Sequence, residues 1–263
     1  MKKSFLIMYI TGFLQAAKML LEYPWIEKIW DKIDLTNIKR EDQYIVKGFV
    51  LTGFFVGIIG AFFLWIFTAL IGNSAGVLIG AIILFLLLNL KDKCGGLMTL
   101  SNYLSLRFLG HSHSVVWKVI NNGEDVPENK FYSVTLGCII LIKALGCVII
   151  VKNNCEFMLI PLLMLNYFIQ GFFACCRSFN DKTLFHLELH DLESYCIFSA
   201  VLLLIGVHLN FVIWLFCLFV FGLIYWYAYK HDSQNNSYGV NALNLTGELG
   251  EVILLIIFSL YLI

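Results

Sequence analysis

The sequence predicts an all-α polytopic membrane protein: an integral helical bundle of six or seven transmembrane helices, with its polar loops on the cytoplasmic side. Three observations carry that expectation. Apolar residues make up 60% of the 263-residue chain and charged residues 14%, a balance typical of chains that face lipid rather than water. The apolar residues fall in runs long enough to cross a bilayer, which takes about 20 residues per helix. The basic residues of the connections gather on one side of those crossings.

The N-terminal part, residues 1–47, reads as an in-plane helix followed by a polar segment. Lys2 and Lys3 precede an apolar stretch from Phe5 to Leu14, and Ala16-Ala17 then imitates the cleavage site of a signal peptide. Gln15 and Lys18 interrupt the apolar face, which favours an uncleaved, shallow helix. Pro24 breaks the mixed-charge segment that follows.

Gly48 to Leu90 is almost continuously apolar, and its sole turn signal, Gly72-Asn73-Ser74, divides it into two spans joined by a short hairpin. The longest polar interruption, residues 91–132, reads as a cytoplasmic loop region. It carries Lys91, Asp92, Lys93, Arg107, His111, His113, Lys118, Glu124, Asp125, Glu128 and Lys130, together with Gly95-Gly96. Ser133 to Val151 makes a third span around Lys143, and Glu156 to Cys176 a fourth after the turn Lys152-Asn153-Asn154. Tyr195 to Leu209 and Phe211 to Tyr229 make a fifth and a sixth, ending in the interfacial aromatics Tyr225, Trp226, Tyr227 and Tyr229. In the amphipathic segment 230–263, Val252 to Ile263 supplies only twelve apolar-run residues. That is too short to cross unless the helix begins near Val240 and takes Glu248 and Glu251 with it.

Orientation follows from the basic residues of the connections. Lys28, Lys32, Lys39, Arg40, Lys47, Lys91, Lys93, Arg107, Lys118, Lys130, Arg177, Lys182 and Lys230 fall on one side, and Lys152 alone on the other. The positive-inside rule makes the first side, the working face, cytoplasmic in a multi-pass cell-membrane protein. With 18 basic and 18 acidic residues there is no electrostatic footprint for nucleic acid.

An ionisable group at membrane depth costs about 2.5–3.5 kcal/mol to insert and is a functional candidate for that reason. Lys143, Glu248 and Glu251 qualify, although a lysine there also serves helix packing. Glu248 and Glu251 share one helical face and could share a divalent cation or a proton; the plainer reading puts that turn among lipid headgroups. His111 and His113 would point apart on a helix and read as loop residues. His186 and His190 flank Glu188 in an HLELH pattern without the order of a zinc protease, and read as a surface helix.

The eight cysteines show no CxxC spacing. Cys138, Cys147, Cys175, Cys176, Cys196 and Cys217 sit in or beside apolar runs and behave as small hydrophobes. That leaves Cys94 and Cys155, at segment edges, as the pair open to a disulfide or metal role. No P-loop or GxSxG elbow is present.

The segment Tyr238 to Val252 resembles the closing motif of the cobalamin synthase family (adenosylcobinamide-GDP ribazoletransferase), roughly TGDxLGAxxELxEV. Glu248-Leu249 and Glu251-Val252 match it, Leu243 takes its leucine, Asn241 stands for its aspartate and Asn244 for a glycine. Met19 to Pro24, Phe49 to Gly60 and Ile139 to Leu145 are similar in kind to three further family stretches. Against the acidic signature LHLDGLADTADG, Met98 to Phe108 places Ser101, Ser105 and Phe108 at aspartate positions, and Asn122 replaces another aspartate downstream.

The resemblance implies a divergent transferase of cobalamin biosynthesis in the cell inner membrane. Such an enzyme passes adenosylcobinamide phosphate from its GDP-activated form to α-ribazole, forming cobalamin and releasing GMP. On this chain it implies catalytic positions at Ser101, Ser105, Asn122 and Asn241, substrate binding by Lys143 and Arg107, and magnesium at Glu248 and Glu251. Its partners would be membrane lipid and the corrinoid nucleotide and nucleoside substrates, with homo-oligomerisation open. Serine and asparagine offer neutral dipoles where magnesium takes anionic oxygens. A second expectation is therefore a non-catalytic relative that binds corrinoid or scaffolds membrane enzymes. A third is a small-solute transporter built on Lys143 and the carboxylate pair, for which no inverted repeat is evident.

Overall fold

The computed structural model describes residues 5–21, 42–71, 73–90, 94–122, 129–177, 182–183, 193–200, 237–238 and 240–263. The sixth span expected from the sequence and most of the fifth lie outside these residues. So do Lys91, Asp92, Lys93, Glu124, Asp125, Glu128, His186 and His190.

The described chain is all-α apart from one short parallel pairing of Lys182-Thr183 with Ser237-Tyr238. Its helices are α1 (Phe5–Leu20), α2 (Asp42–Ile71), α3 (Asn73–Leu90), α4 (Gly95–Phe108), α5 (His113–Asn121), α6 (Lys130–Lys152), α7 (Leu159–Arg177, led by the 3-10 turn Glu156–Met158) and α8 (Val240–Leu262). Residues 193–200 are helical as well. Among the described residues, four helices are long and apolar enough to cross a membrane: α2, α6, α7 with its leading turn, and α8. There are five if α3 and α4, set 79° apart, are taken as one bent span. The chain is thus a multi-pass membrane protein in contact with lipid. The closing helix does begin at Val240 and carries both glutamates into a candidate span, Leu243–Leu262.

Within the region 91–132 expected as a loop, the described residues 94–122 are mostly helical. Leu97, Leu100, Ser101 and Ser105 recur at three- and four-residue spacing and are buried, which turns α4 into a helix packed on α6 and α8. Val116 and Ile120, four apart on α5, form a small core of their own with Leu106. Polar composition concealed both periods.

Glycine sets the closest contacts. A Cβ on Gly53 would lie 2.6 Å from the Leu163 carbonyl oxygen, and one on Gly57 would lie 2.6 Å from Ile160 Cα. The four-residue spacing of these glycines thus lets α2 and α7 meet backbone to backbone, as small residues do in membrane bundles. The same device docks α1 along the first turns of α2, with Gly12 against Tyr44 and Gly48 against Ala16. The two helices run in the same direction there, and Ala16 and Ala17 are buried.

The start of α6 is fixed by Asn129, whose side chain accepts hydrogen bonds from the backbone N–H groups of Phe131 (3.1 Å) and Tyr132 (3.0 Å). An N-cap of this kind stabilises by about 1 kcal/mol. Asn129→Ala is therefore expected to lower the thermal unfolding midpoint in detergent, and Asn129→Asp, which keeps the acceptor, to retain most of it. An Asn129→Ala protein melting with the wild type would contradict this role.

Candidate functional site

Lys143 lies on the face of α6 that also buries Thr135, Ile139, Gly146, Cys147 and Ile150. That spacing points it into the bundle, where it is 0% exposed. Its Nζ donates to Asn89 Oδ1 on α3 at 2.8 Å and to Glu248 Oε1 on α8 at 2.7 Å. Glu251 Oε1 stands 2.5 Å away, as an ion pair outside hydrogen-bonding alignment. The side chains of Glu248 and Glu251 are 2% and 0% exposed. Asn89 is held ready for its part because its Nδ2 donates to the Phe85 carbonyl at 2.6 Å, which leaves Oδ1 turned to the ammonium. An ammonium has three N–H donors, and here three side chains from two other helices face them.

Ser101 and Ser105 do different work. Ser101 Oγ donates to the Tyr132 carbonyl (3.1 Å) and lies 2.9 Å from Thr135 Oγ1, while Thr135 Oγ1 is within 3.2 Å of the Ser101 carbonyl. Ser105 Oγ donates to the Asn102 carbonyl at 3.0 Å and accepts from Asn129 Nδ2 at 3.4 Å. Both serines are buried and bind α4 to α6. Thr135 precedes Lys143 by two turns, so this network stands about 12 Å along α6 from the charged cluster.

The remaining candidates are dispersed. Asn241 Nδ2 donates to the Ile120 carbonyl at 3.0 Å, tying the start of α8 to the end of α5, where exposed Asn122 forms the cap. Arg107 is exposed and its Nη1 donates to the His111 carbonyl at 2.6 Å, away from the cluster. His113 Nδ1 pairs with Tyr103 Oη at 2.8 Å. Cys94 and Cys155 are both free thiols. The structure therefore unites Lys143, Glu248 and Glu251 and leaves Ser101, Ser105 and Arg107 elsewhere.

Sequence reasoning passed over Asn89 and Thr135, single polar residues inside or beside apolar runs. It also passed over Glu156, which is 2% exposed and accepts from Thr68 Oγ1 at 3.0 Å. A polar side chain within a span was the available signal.

Magnesium does not fit this donor set. The Lys143 ammonium occupies the position between the two carboxylates that a cation would take, and among the described residues no three His, Cys, Asp or Glu side chains converge. Magnesium takes an octahedron of oxygens, several of them from water, whereas here both carboxylates face an ammonium. No protein-family profile, characterised protein or solved structure matches the chain.

Proposed function

We propose that this chain is a non-catalytic membrane relative of the cobalamin synthases that binds a corrinoid on its cytoplasmic face without transferring it. The observation that supports this reading is the seat of Lys143: its ammonium pairs with both Glu248 and Glu251, the acidic pair that the family resemblance would give to magnesium. The replacement of further aspartates by Ser101 and Ser105, which are engaged in bracing α4 on α6, supports it as well. The corrinoid as ligand rests on the closing motif and its neighbours in the sequence. Six or seven spans are supported by the two apolar runs between Tyr195 and Tyr229, and the cytoplasmic face by the one-sided basic residues.

The experiment is an assay of purified protein in detergent with GDP-activated adenosylcobinamide, α-ribazole and magnesium. No GMP release is expected, and corrinoid binding measured by absorbance should survive EDTA. Magnesium-dependent GMP release would restore the transferase reading. Absence of corrinoid binding would remove the ligand and leave a scaffold.

A further inference from the structure

The turn of α8 from Gly247 to Glu251 has a second polar neighbour. While its two glutamates face Lys143, its two glycines face α7. The Gln170 amide nitrogen fills the place a Cβ on Gly247 would need, and Asn166 Oδ1 lies 2.7 Å from the place of a Cβ on Gly250. Asn166 and Gln170 are four apart on α7 and 0% and 4% exposed. Among the described residues, Asn166 Nδ2, Asn166 Oδ1 and Gln170 Oε1 have no hydrogen-bond partner.

Helix backbone has no donor to spare for the two open amide oxygens, because the N–H groups in the middle of each helix are spent within it. A polar atom left without a partner in an apolar medium costs several kcal/mol, and here three such atoms lie within about one helical turn of each other. An open N–H donor beside the two oxygens would repel a cation, which takes acceptors alone. Two open acceptors and one open donor call for a small neutral molecule that both donates and accepts.

We propose that the α7–α8 seam is a water-binding site, with ordered water held by Asn166 and Gln170. Buried water typically makes about three hydrogen bonds to such groups. With it, α8 is bordered at a single level by the ammonium–carboxylate cluster on one side and by hydrated amides on the other. The polar layer then crosses α3, α6, α8 and α7. This inference stands apart from the corrinoid reading and does not depend on it.

The test is pulsed X-ray hydroxyl-radical labelling of the wild-type protein in detergent, in which bound water generates the radical beside the side chain it touches. Ile169, 4% exposed, is the reporter, because its Cδ1 shares the Gly250 contact with Asn166, and Ile150, 0% exposed, is the buried control, with the double variant separating the amides from this difference in exposure. Oxidation of Ile169 should exceed that of Ile150 several-fold and fall to the control level in Asn166→Leu/Gln170→Leu. Equal oxidation of Ile169 and Ile150 in the wild type overturns the proposal, whether or not the double variant folds. Ile169 oxidation that persists in a folded double variant overturns it too, since the water would then owe nothing to the amides.

Discussion

Lys143→Met is expected to destabilise the protein by about 3–5 kcal/mol, the usual cost of removing one partner from a buried ion pair. The methionine keeps the volume and apolar stem of lysine but supplies no donor. Glu248, Glu251 and Asn89 would lose the group that now lies within 2.8 Å of each. Because those partners come from α3 and α8, the loss should appear as separation of whole helices, read as a lower unfolding midpoint and faster proteolysis in detergent. Replacing the acids as well, in Lys143→Met/Glu248→Gln/Glu251→Gln, should recover most of the stability, since the uncompensated charge rather than the missing attraction carries the cost. A single variant as stable as the wild type would mean that the cluster is not what joins the three helices.

The second large effect is expected at Gly57. One added methyl would have to share space with Ile160 Cα, which belongs to a backbone and cannot swing aside as a side chain can. Gly57→Ala should cost about 1–3 kcal/mol, in the range of overpacked cores, and Gly57→Leu should prevent α2 from seating on α7. Gly137 on α6 is the internal control, because a Cβ there meets nothing within 4 Å. Gly137→Ala should be neutral or stabilise by up to about 1 kcal/mol through helix propensity. Equal responses at both positions would show that propensity, and not close approach, governs the glycines of this bundle.

The helical class and the membrane setting were legible because they depend on composition and run length, which a single sequence displays in full. Lys143, Glu248 and Glu251 were legible for a related reason, as charges stand out against an apolar background. What stayed hidden was pairing. Nothing local to Lys143 points to Glu248, which is 105 positions away. Asn89, Asn166 and Gln170 were missed because one amide in an apolar run differs little from a tolerated substitution until its neighbours are known. α4 was misread for the opposite reason: Arg107, Asn102, Thr99, Ser101 and Ser105 dilute a helical period that its buried leucines keep. The resemblance to cobalamin synthases drew attention to Ser101 and Ser105, and their geometry is that of a brace between helices.

The partnership between α8 and α6 also bears on how the chain is made. As an isolated segment leaving the ribosome, α8 brings two carboxylates that together disfavour entry into lipid by about 5–7 kcal/mol. Lys143 belongs to a helix translated earlier, so its ammonium can already be in place when those acids emerge. The order of synthesis then becomes an order of assembly, with α8 partitioning into the bilayer against a counter-charge installed about a hundred residues before it.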